Sequence, residues 1–157
     1  MNSILIVWGT GTGQTAMASY DAALQSANIH NYNLIQLSSV IPSGTEINEK
    51  GVAPDLGEVG DRLFVVEARK TASGPDEASA SLAWATGPKG GILYEAAGEA
   101  PEDVIANRAR KGVEQGKELR KWSFTAESSR TTSIDIPSGM YGSAVVIAIY
   151  GDGITWG

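Results

Sequence analysis

The stretch NYNLIQLSSVIPSG, residues 31–44, decides how this chain is interpreted. Tyr32 to Leu37 is an apolar run that predicts a buried strand. The run ends at Ser38 and Ser39, and Pro42 then stops the strand, because proline cannot donate to a β-ladder. A serine hydroxyl that a rigid sheet holds there can attack the carbonyl of the preceding peptide. The serine pair therefore predicts a chemically reactive position in the backbone.

Composition places the chain among globular proteins, as one domain predicted over residues 1–157. The 157 residues are 42% hydrophobic and 19% charged, which is enough apolar material for a core. The net charge of −6 argues against a nucleic-acid partner and weakly suits a cationic small substrate. The chain has no cysteine, which excludes disulfides, thiolate metal sites and cysteine catalysis.

Neither a targeting segment nor a membrane span is predicted. Met1-Asn2-Ser3 places no positive charge ahead of the short apolar run Ile4 to Trp8. The apolar run from Ala144 to Tyr150 is far shorter than a bilayer requires. We therefore expect a cytoplasmic protein with no membrane partner.

The order of helical and extended patterns predicts an α+β fold. Apolar residues at helical spacing predict helices over Thr15–Ala27, with Asn28 as a stop, and from Pro101 to about Lys121. Short apolar runs predict strands at Ile4–Trp8, Tyr32–Leu37, Leu63–Ala68, Ala78–Ala85, Ile92–Ala97, Trp122–Ile134 and Ser143–Tyr150. Residues 9–14 and 42–61 are rich in glycine or proline and are expected to be loops. These strands are more than one sheet comfortably holds.

Small residues predict close packing in two places. Ser79, Ser81, Ala83 and Ala85 share one face of a strand, so another layer is expected to approach that face closely. Glycine inside a helix costs about 1 kcal/mol relative to alanine, so glycines on an inward stripe need a packing reason. The second helix has such a stripe, formed by Ile105, Ala109, Gly112, Gly116 and Leu119.

The segment Gly9 to Ala16 is the alternative functional motif. It follows a strand and opens a helix, and Gly11, Gly13 and Ala16 fit a loose dinucleotide-binding fingerprint. The next strand ends in serines rather than in the acid that binds a ribose. A tight turn is therefore favoured, with a nonenzymatic domain that binds a nucleotide or small molecule as the alternative.

Three single residues are candidates whose roles the pattern leaves open. Glu95 lies in an apolar strand, where burial raises a carboxyl pKa and makes a proton donor, whereas an edge position leaves it in water. Asp21 is the only acid of the first helix and on its own fits a solvated flank. His30 is the only histidine, and without a G-x-S-x-G elbow it fits a turn rather than a triad. No residue spacing predicts a metal site.

Residues 31–42 resemble the processing site of the pyruvoyl-dependent arginine decarboxylases. The resemblance extends over nearly the whole chain. It includes the glycine-rich opening, the Asp21-Ala-Ala-Leu24 helix, the Gly90-Gly-Ile-Leu-Tyr-Glu95 strand and the apolar strand near the C-terminus. The spacing of Asn33 to the serine pair, together with the separate glutamate strand, is the specific part of the match.

The resemblance implies that the chain cuts itself between Ser38 and Ser39. The expected products are a β chain of residues 1–38 and an α chain of 39–157 that begins with a pyruvoyl group made from Ser39. Asn33 matches the residue that polarises the Ser38 carbonyl, which an amide donor suits. The pyruvoyl group would serve as the covalent cofactor and withdraw electrons while arginine loses CO₂ to give agmatine, the entry to polyamine synthesis.

The resemblance also assigns roles to the two acids. Glu95 matches the proton donor to the substrate carbon, and Asp21 matches the acid that pairs with the guanidinium. Ser38 is a further predicted substrate contact. The family fold is a four-layer αββα sandwich, and the implied assembly is a trimer of αβ units, or a dimer of trimers, with active sites between neighbours. An unprocessed, inactive subunit is the remaining alternative.

Overall fold

A computed structural model describes residues 3–156, so residues 1, 2 and 157 of the predicted domain lie outside the described residues. Within 3–156 the chain forms nine strands and two helices. In chain order they are β1 (Ser3–Gly13), α1 (Ala16–Ser26), β2 (Asn33–Gln36), β3 (Val40–Ile41), β4 (Glu46–Gly51), β5 (Arg62–Ser73), β6 (Asp76–Gly87), β7 (Gly90–Gly98), α2 (Glu102–Glu118), β8 (Ala126–Ile136) and β9 (Tyr141–Tyr150).

The strands form two sheets. The first sheet has the order β2-β5-β9-β1-β4 and is mixed, since β2–β5 and β1–β4 are parallel pairs while β9 is antiparallel to both neighbours. The second sheet has the order β3-β7-β6-β8 and is antiparallel throughout. A chain that passes from β2 to β3 therefore changes sheets over the three residues 37–39.

The layers confirm the predicted αββα sandwich. Helix α1 packs on β1, β9 and β5 of the first sheet, and α2 packs on β6, β7 and β8 of the second. Between the sheets lies a core of buried side chains, whose larger members are Ile4, Ile6, Ile41, Val66, Leu82, Trp84, Leu93 and Val146. Burying each such side chain contributes about 1.5–3 kcal/mol, so the core holds the two sheets face to face.

The predicted loop over residues 9–14 is wrong, because β1 continues through Gly13 and pairs with β9 as far as Tyr141. The glycines instead admit α1: a Cβ on Gly11 would lie 2.6 Å from the Ala22 Cβ and 2.6 Å from the Ala23 nitrogen. The helix begins only after the strand has ended, with Thr15 as its N-cap. The nucleotide fingerprint therefore lacks its loop.

The predicted packing of the second helix is confirmed at both glycines. Tyr94 of β7 lies against the helix, and a Cβ on Gly112 or Gly116 would come within 2.6 Å of its ring. The prediction that Leu119 belongs to the inward stripe is wrong, since α2 ends at Glu118 and Leu119 is 79% exposed. Val113 takes that place in the buried face of the helix.

Two further boundaries differ from the sequence prediction. The loop predicted over 42–61 contains β4, an edge strand that gains its hydrogen bonds by parallel pairing with β1. The strand predicted from Trp122 begins only at Ala126, because Trp122 and Phe124 pack against the cluster beneath α2 instead. Asn28 does end the first helix, and it adopts the left-handed conformation with φ 62°.

Candidate active site at the crossover between the sheets

The Ser38–Ser39 peptide lies where the backbone passes from one sheet to the other. On the first side, the Leu37 N–H donates to the Val65 carbonyl of β5 at 2.8 Å. On the second side, the Ser39 carbonyl accepts from the Leu93 N–H of β7 at 2.9 Å. Both ends of this peptide are thus anchored in rigid sheets. The strand that precedes it, β2, was predicted to be buried, but it is a half-buried strand at the edge of the first sheet.

Ser39 has a strained backbone. Its φ is 73°, and among the non-glycine residues in 3–156 only Asn28 shares a positive φ. The left-handed region costs most L-residues about 1–2 kcal/mol, whereas asparagine tolerates it well. Such strain persists only where the surroundings impose it, and it concentrates at functional sites. Cleavage on the N-terminal side of Ser39 would release it.

A pocket of about 240 Å³ opens beside this peptide. It is lined by Ser38, Ser39, Ile92, Leu93, Tyr94, Glu95 and Arg120. The structure thus brings together the predicted nucleophile and the predicted proton donor. The Glu95 side chain is exposed in the single chain, yet burial of its carboxyl by neighbouring groups raises its pKa above the usual range. A raised pKa leaves more of the acid protonated near neutral pH.

The structure does not place Asn33 or Asp21 in the lining of this pocket. Asn33 begins β2, and its side-chain amide donates to the Gly60 carbonyl at 2.8 Å. Asp21 is exposed on α1 and has no ion-pair partner within residues 3–156. Their assigned roles stay predictions, and neither residue lines the pocket of a single chain. His30 lies in the turn between α1 and β2, as expected.

A second acid near the crossover was missed by the sequence analysis. Glu67 of β5 accepts from the Tyr20 hydroxyl at 2.6 Å and from the Gln36 side chain at 3.1 Å. Burial, with a smaller contribution from the charge of Glu95, raises the pKa of Glu67. Gln36 ends β2 just before the serine pair, so this cluster fixes the chain as it leaves the first sheet. No sequence signal joins residues 20, 36 and 67, because only the fold brings them together.

Arg120 was also missed, because it lies near the end of the predicted second helix, where a basic side chain is ordinarily explained by its favourable interaction with the helix dipole. Its Nη1 donates to the Gly116 carbonyl at 3.0 Å, and its guanidinium lies 5.6 Å from the Trp122 ring centroid. The side chain held by these two contacts is among those that line the serine pocket.

A larger cleft, of about 430 Å³, lies between α2 and β8. Its carboxylates Glu114 and Glu127 both pair with Lys117, at 3.4 and 2.9 Å. This arrangement is typical of a solvated ionic surface, where such pairs contribute little.

Within residues 3–156, no helix is long and apolar enough to cross a membrane.

Comparison with known proteins agrees with this geometry. The family model described as pyruvoyl-dependent arginine decarboxylase matches residues 3–154. Curated proteins with that name are similar to the chain along most of its length. The one from Halobacterium salinarum is 48% identical over 155 residues, which is 97% of this chain and 96% of that protein. The one from Thermococcus kodakarensis is 31% identical over 135 residues, which is 82% of this chain and 84% of the relative.

A strained serine beside an acidic side chain, held between the two sheets of a sandwich, is typical of the active site of an α+β enzyme. The chain belongs to the family of pyruvoyl-dependent arginine decarboxylases. It is accordingly a carboxy-lyase that depends on a covalent pyruvoyl group. A nonenzymatic nucleotide-binding domain is not favoured, since the glycine segment belongs to a strand.

Proposed function

We propose that this arginine decarboxylase cuts its own Ser38–Ser39 bond and that Ser39 becomes the pyruvoyl group. The mature protein then converts L-arginine to agmatine and CO₂. The observation that carries the proposal is the left-handed φ of 73° at Ser39, on a peptide tied to both sheets and beside the acid Glu95.

The placement of the two serines supports the following course of the proposed cleavage. The Ser39 hydroxyl attacks the Ser38 carbonyl, and the Ser39 nitrogen leaves, so an ester replaces the peptide bond. Elimination then breaks the ester, which leaves a carboxylate at Ser38 and a dehydroalanine at position 39. Water hydrolyses the dehydroalanine to the pyruvoyl group and ammonia. The strain at Ser39 favours this reaction because the N–Cα bond that carries the strain is lost.

The residues around Ser39 fit such a group. The Ser39 carbonyl stays in the α chain after cleavage, and the Leu93 N–H, at 2.9 Å, holds and polarises it. When formed, the pyruvoyl group withdraws electrons from the substrate carbon as CO₂ leaves. Glu95 then delivers a proton to that carbon, and burial, which raises the pKa of this carboxyl, favours the protonated form that this step needs.

Substrate recognition is proposed to use Asp21 and Ser38, with Asn33 polarising the Ser38 carbonyl during cleavage. A carboxylate and a guanidinium form a bidentate contact that suits arginine. Because Asp21 and Asn33 lie outside the pocket of one chain, we propose that neighbouring copies in a trimer of αβ units, alone or paired as a dimer of trimers, complete each site. A single domain over 1–157 and a cytoplasmic location remain part of the same proposal.

Intact mass under denaturing conditions tests the proposal most directly. We expect two fragments, divided after Ser38, with the larger one blocked at its N-terminus by a carbonyl that borohydride reduces. A single full-length chain that stays whole after warm incubation would contradict the proposed cleavage. Agmatine production from arginine by the same sample then tests the reaction separately.

A further inference from the structure

The cleavage creates a charge that the precursor lacks. As the Ser38 peptide carbonyl becomes a free carboxylate, a permanent negative charge appears at the edge of the serine pocket. This pocket already holds the acid Glu95. Of the residues that line it, all within the described range 3–156, Arg120 is the only cation.

We propose that Arg120 is the positioning residue that binds the new C-terminal carboxylate of Ser38 after cleavage. The inference rests on the proposed cleavage between Ser38 and Ser39. The ion pair keeps the end of the β chain at the pocket, where Ser38 is predicted to contact substrate. It also separates the new carboxylate from Glu95, since like charges on neighbouring acids repel.

The Arg120 side chain is prepared for this role. One guanidinium nitrogen donates to the Gly116 carbonyl at 3.0 Å, and the Trp122 ring lies beneath the group at 5.6 Å between centres. The remaining N–H groups have no other partner within residues 3–156. Arginine presents its donors as a planar fork that matches a carboxylate, and a fork already held in place loses little entropy on pairing.

The substrate carboxylate is the competing partner, and the chemistry disfavours it. That carboxylate must lose its charge as CO₂ departs, so a guanidinium bound to it would stabilise the ground state more than the transition state and slow the reaction. The Ser38 carboxylate keeps its charge through every turnover. Arg120 is therefore better matched to the end of the β chain.

Melting temperatures in two backgrounds test the assignment. Arg120→Gln is made in the processed enzyme and in the Ser39→Ala chain, which keeps the peptide bond and forms no carboxylate. We expect Arg120→Gln to lower the melting temperature in both backgrounds, but by about 2 °C or more further in the processed enzyme than in the Ser39→Ala chain. High salt should reduce this difference between the two backgrounds, because it screens the ion pair. Arg120→Lys should restore part of the melting temperature that Arg120→Gln loses. Lys121→Gln, an exposed neighbour outside the pocket, removes the same charge as a control.

A carboxypeptidase gives a second readout. We expect it to trim Ser38 and Leu37 several times faster from the processed Arg120→Gln enzyme than from the wild type or Lys121→Gln. Equal melting losses in both backgrounds and unchanged trimming would overturn the assignment and leave Arg120 a packing partner of Trp122. A raised arginine KM without excess destabilisation would assign it to the substrate instead and equally overturn the proposal.

The mass spectrum separates the failure of this inference from that of the proposed function. A wild-type chain that stays whole overturns both, because no carboxylate forms at Ser38. A wild type cut after Ser38 with an Arg120→Gln variant that is not cut would overturn only the inference, since Arg120 would then act before the carboxylate exists.

Discussion

The glycine strand 9–13 and the serine pair 38–39 both suggested function from the sequence, and the structure separates them. In the first, the backbone is regular and the absent side chains make room for α1. In the second, the side chains are present and the backbone is irregular, with φ 73° at Ser39. The comparison shows that a run of small residues indicates a reactive site where its backbone is strained beside a pocket. Where its backbone continues a regular β-ladder, the same kind of run indicates close packing.

Ser39→Ala is the substitution with the largest expected effect. Without the hydroxyl no ester forms, so we expect no cleavage, a single chain by mass and no agmatine above background. Ser38→Ala is the matched control, because the cleavage uses the Ser38 carbonyl rather than its hydroxyl, and it should still be cut. Arginine decarboxylation by an uncut Ser39→Ala chain would refute the mechanism.

Glu95→Gln should separate processing from turnover. The amide cannot donate a proton as the acid does, so we expect normal cleavage and a kcat lower by about 10²–10⁴-fold. Glu99→Gln, just beyond the same strand and paired with Lys70 at 3.5 Å, is the control that should leave kcat nearly unchanged. Failure of the Glu95→Gln chain to cleave would show that the role assigned to the acid is wrong.

The pH profile follows from the same acid. Glu95 donates only when protonated, and burial raises its pKa above the usual value. Wild-type kcat should therefore stay constant at pH values below this raised pKa and fall as the pH increases through it. The residual kcat of Glu95→Gln should not show this fall.

On the glycine strand the expected effect is on stability alone. A Cβ at Gly11 would collide with the Ala23 backbone at 2.6 Å, which cannot move without shifting α1. Gly11→Ala should lower the free energy of unfolding by about 3 kcal/mol. Each kcal/mol corresponds to a fall of about 2–4 °C in melting temperature, which is measured in the uncut Ser39→Ala chain. The exposed neighbour Thr12→Ala should change the free energy of unfolding by less than about 0.5 kcal/mol. A stable Gly11→Ala protein that gained or lost nucleotide binding would show that the strand is more than packing.

Local pattern predicted what depends on neighbours in the chain. The two helices, most of the strands and the packing of Gly112 and Gly116 follow from periodicity and glycine cost. The strand identity of residues 9–13 did not, because glycine has low strand propensity and only pairing with β9 imposes the extended form. The left-handed Ser39 and the approach of Arg120 were also inaccessible, since each depends on how two sheets and a helix meet around residues 37–39.

Asp21 offers the smallest and most selective test. Asp21→Asn removes the charge that is expected to hold the guanidinium, so the KM for arginine should rise about tenfold, with little change for an uncharged analogue of similar length. An equal rise for both substrates would remove Asp21 from recognition of the cation. The structure adds a sharper version, because Asp21 lies outside the pocket that contains Ser39 in the same chain. If neighbouring copies share each site, co-assembly of Asp21→Asn and Ser39→Ala chains should restore the wild-type KM in a fraction of sites, since the first supplies the pyruvoyl group and the second the aspartate. Mixed assemblies that keep the raised KM would place the two residues in one chain's site and argue against a shared one.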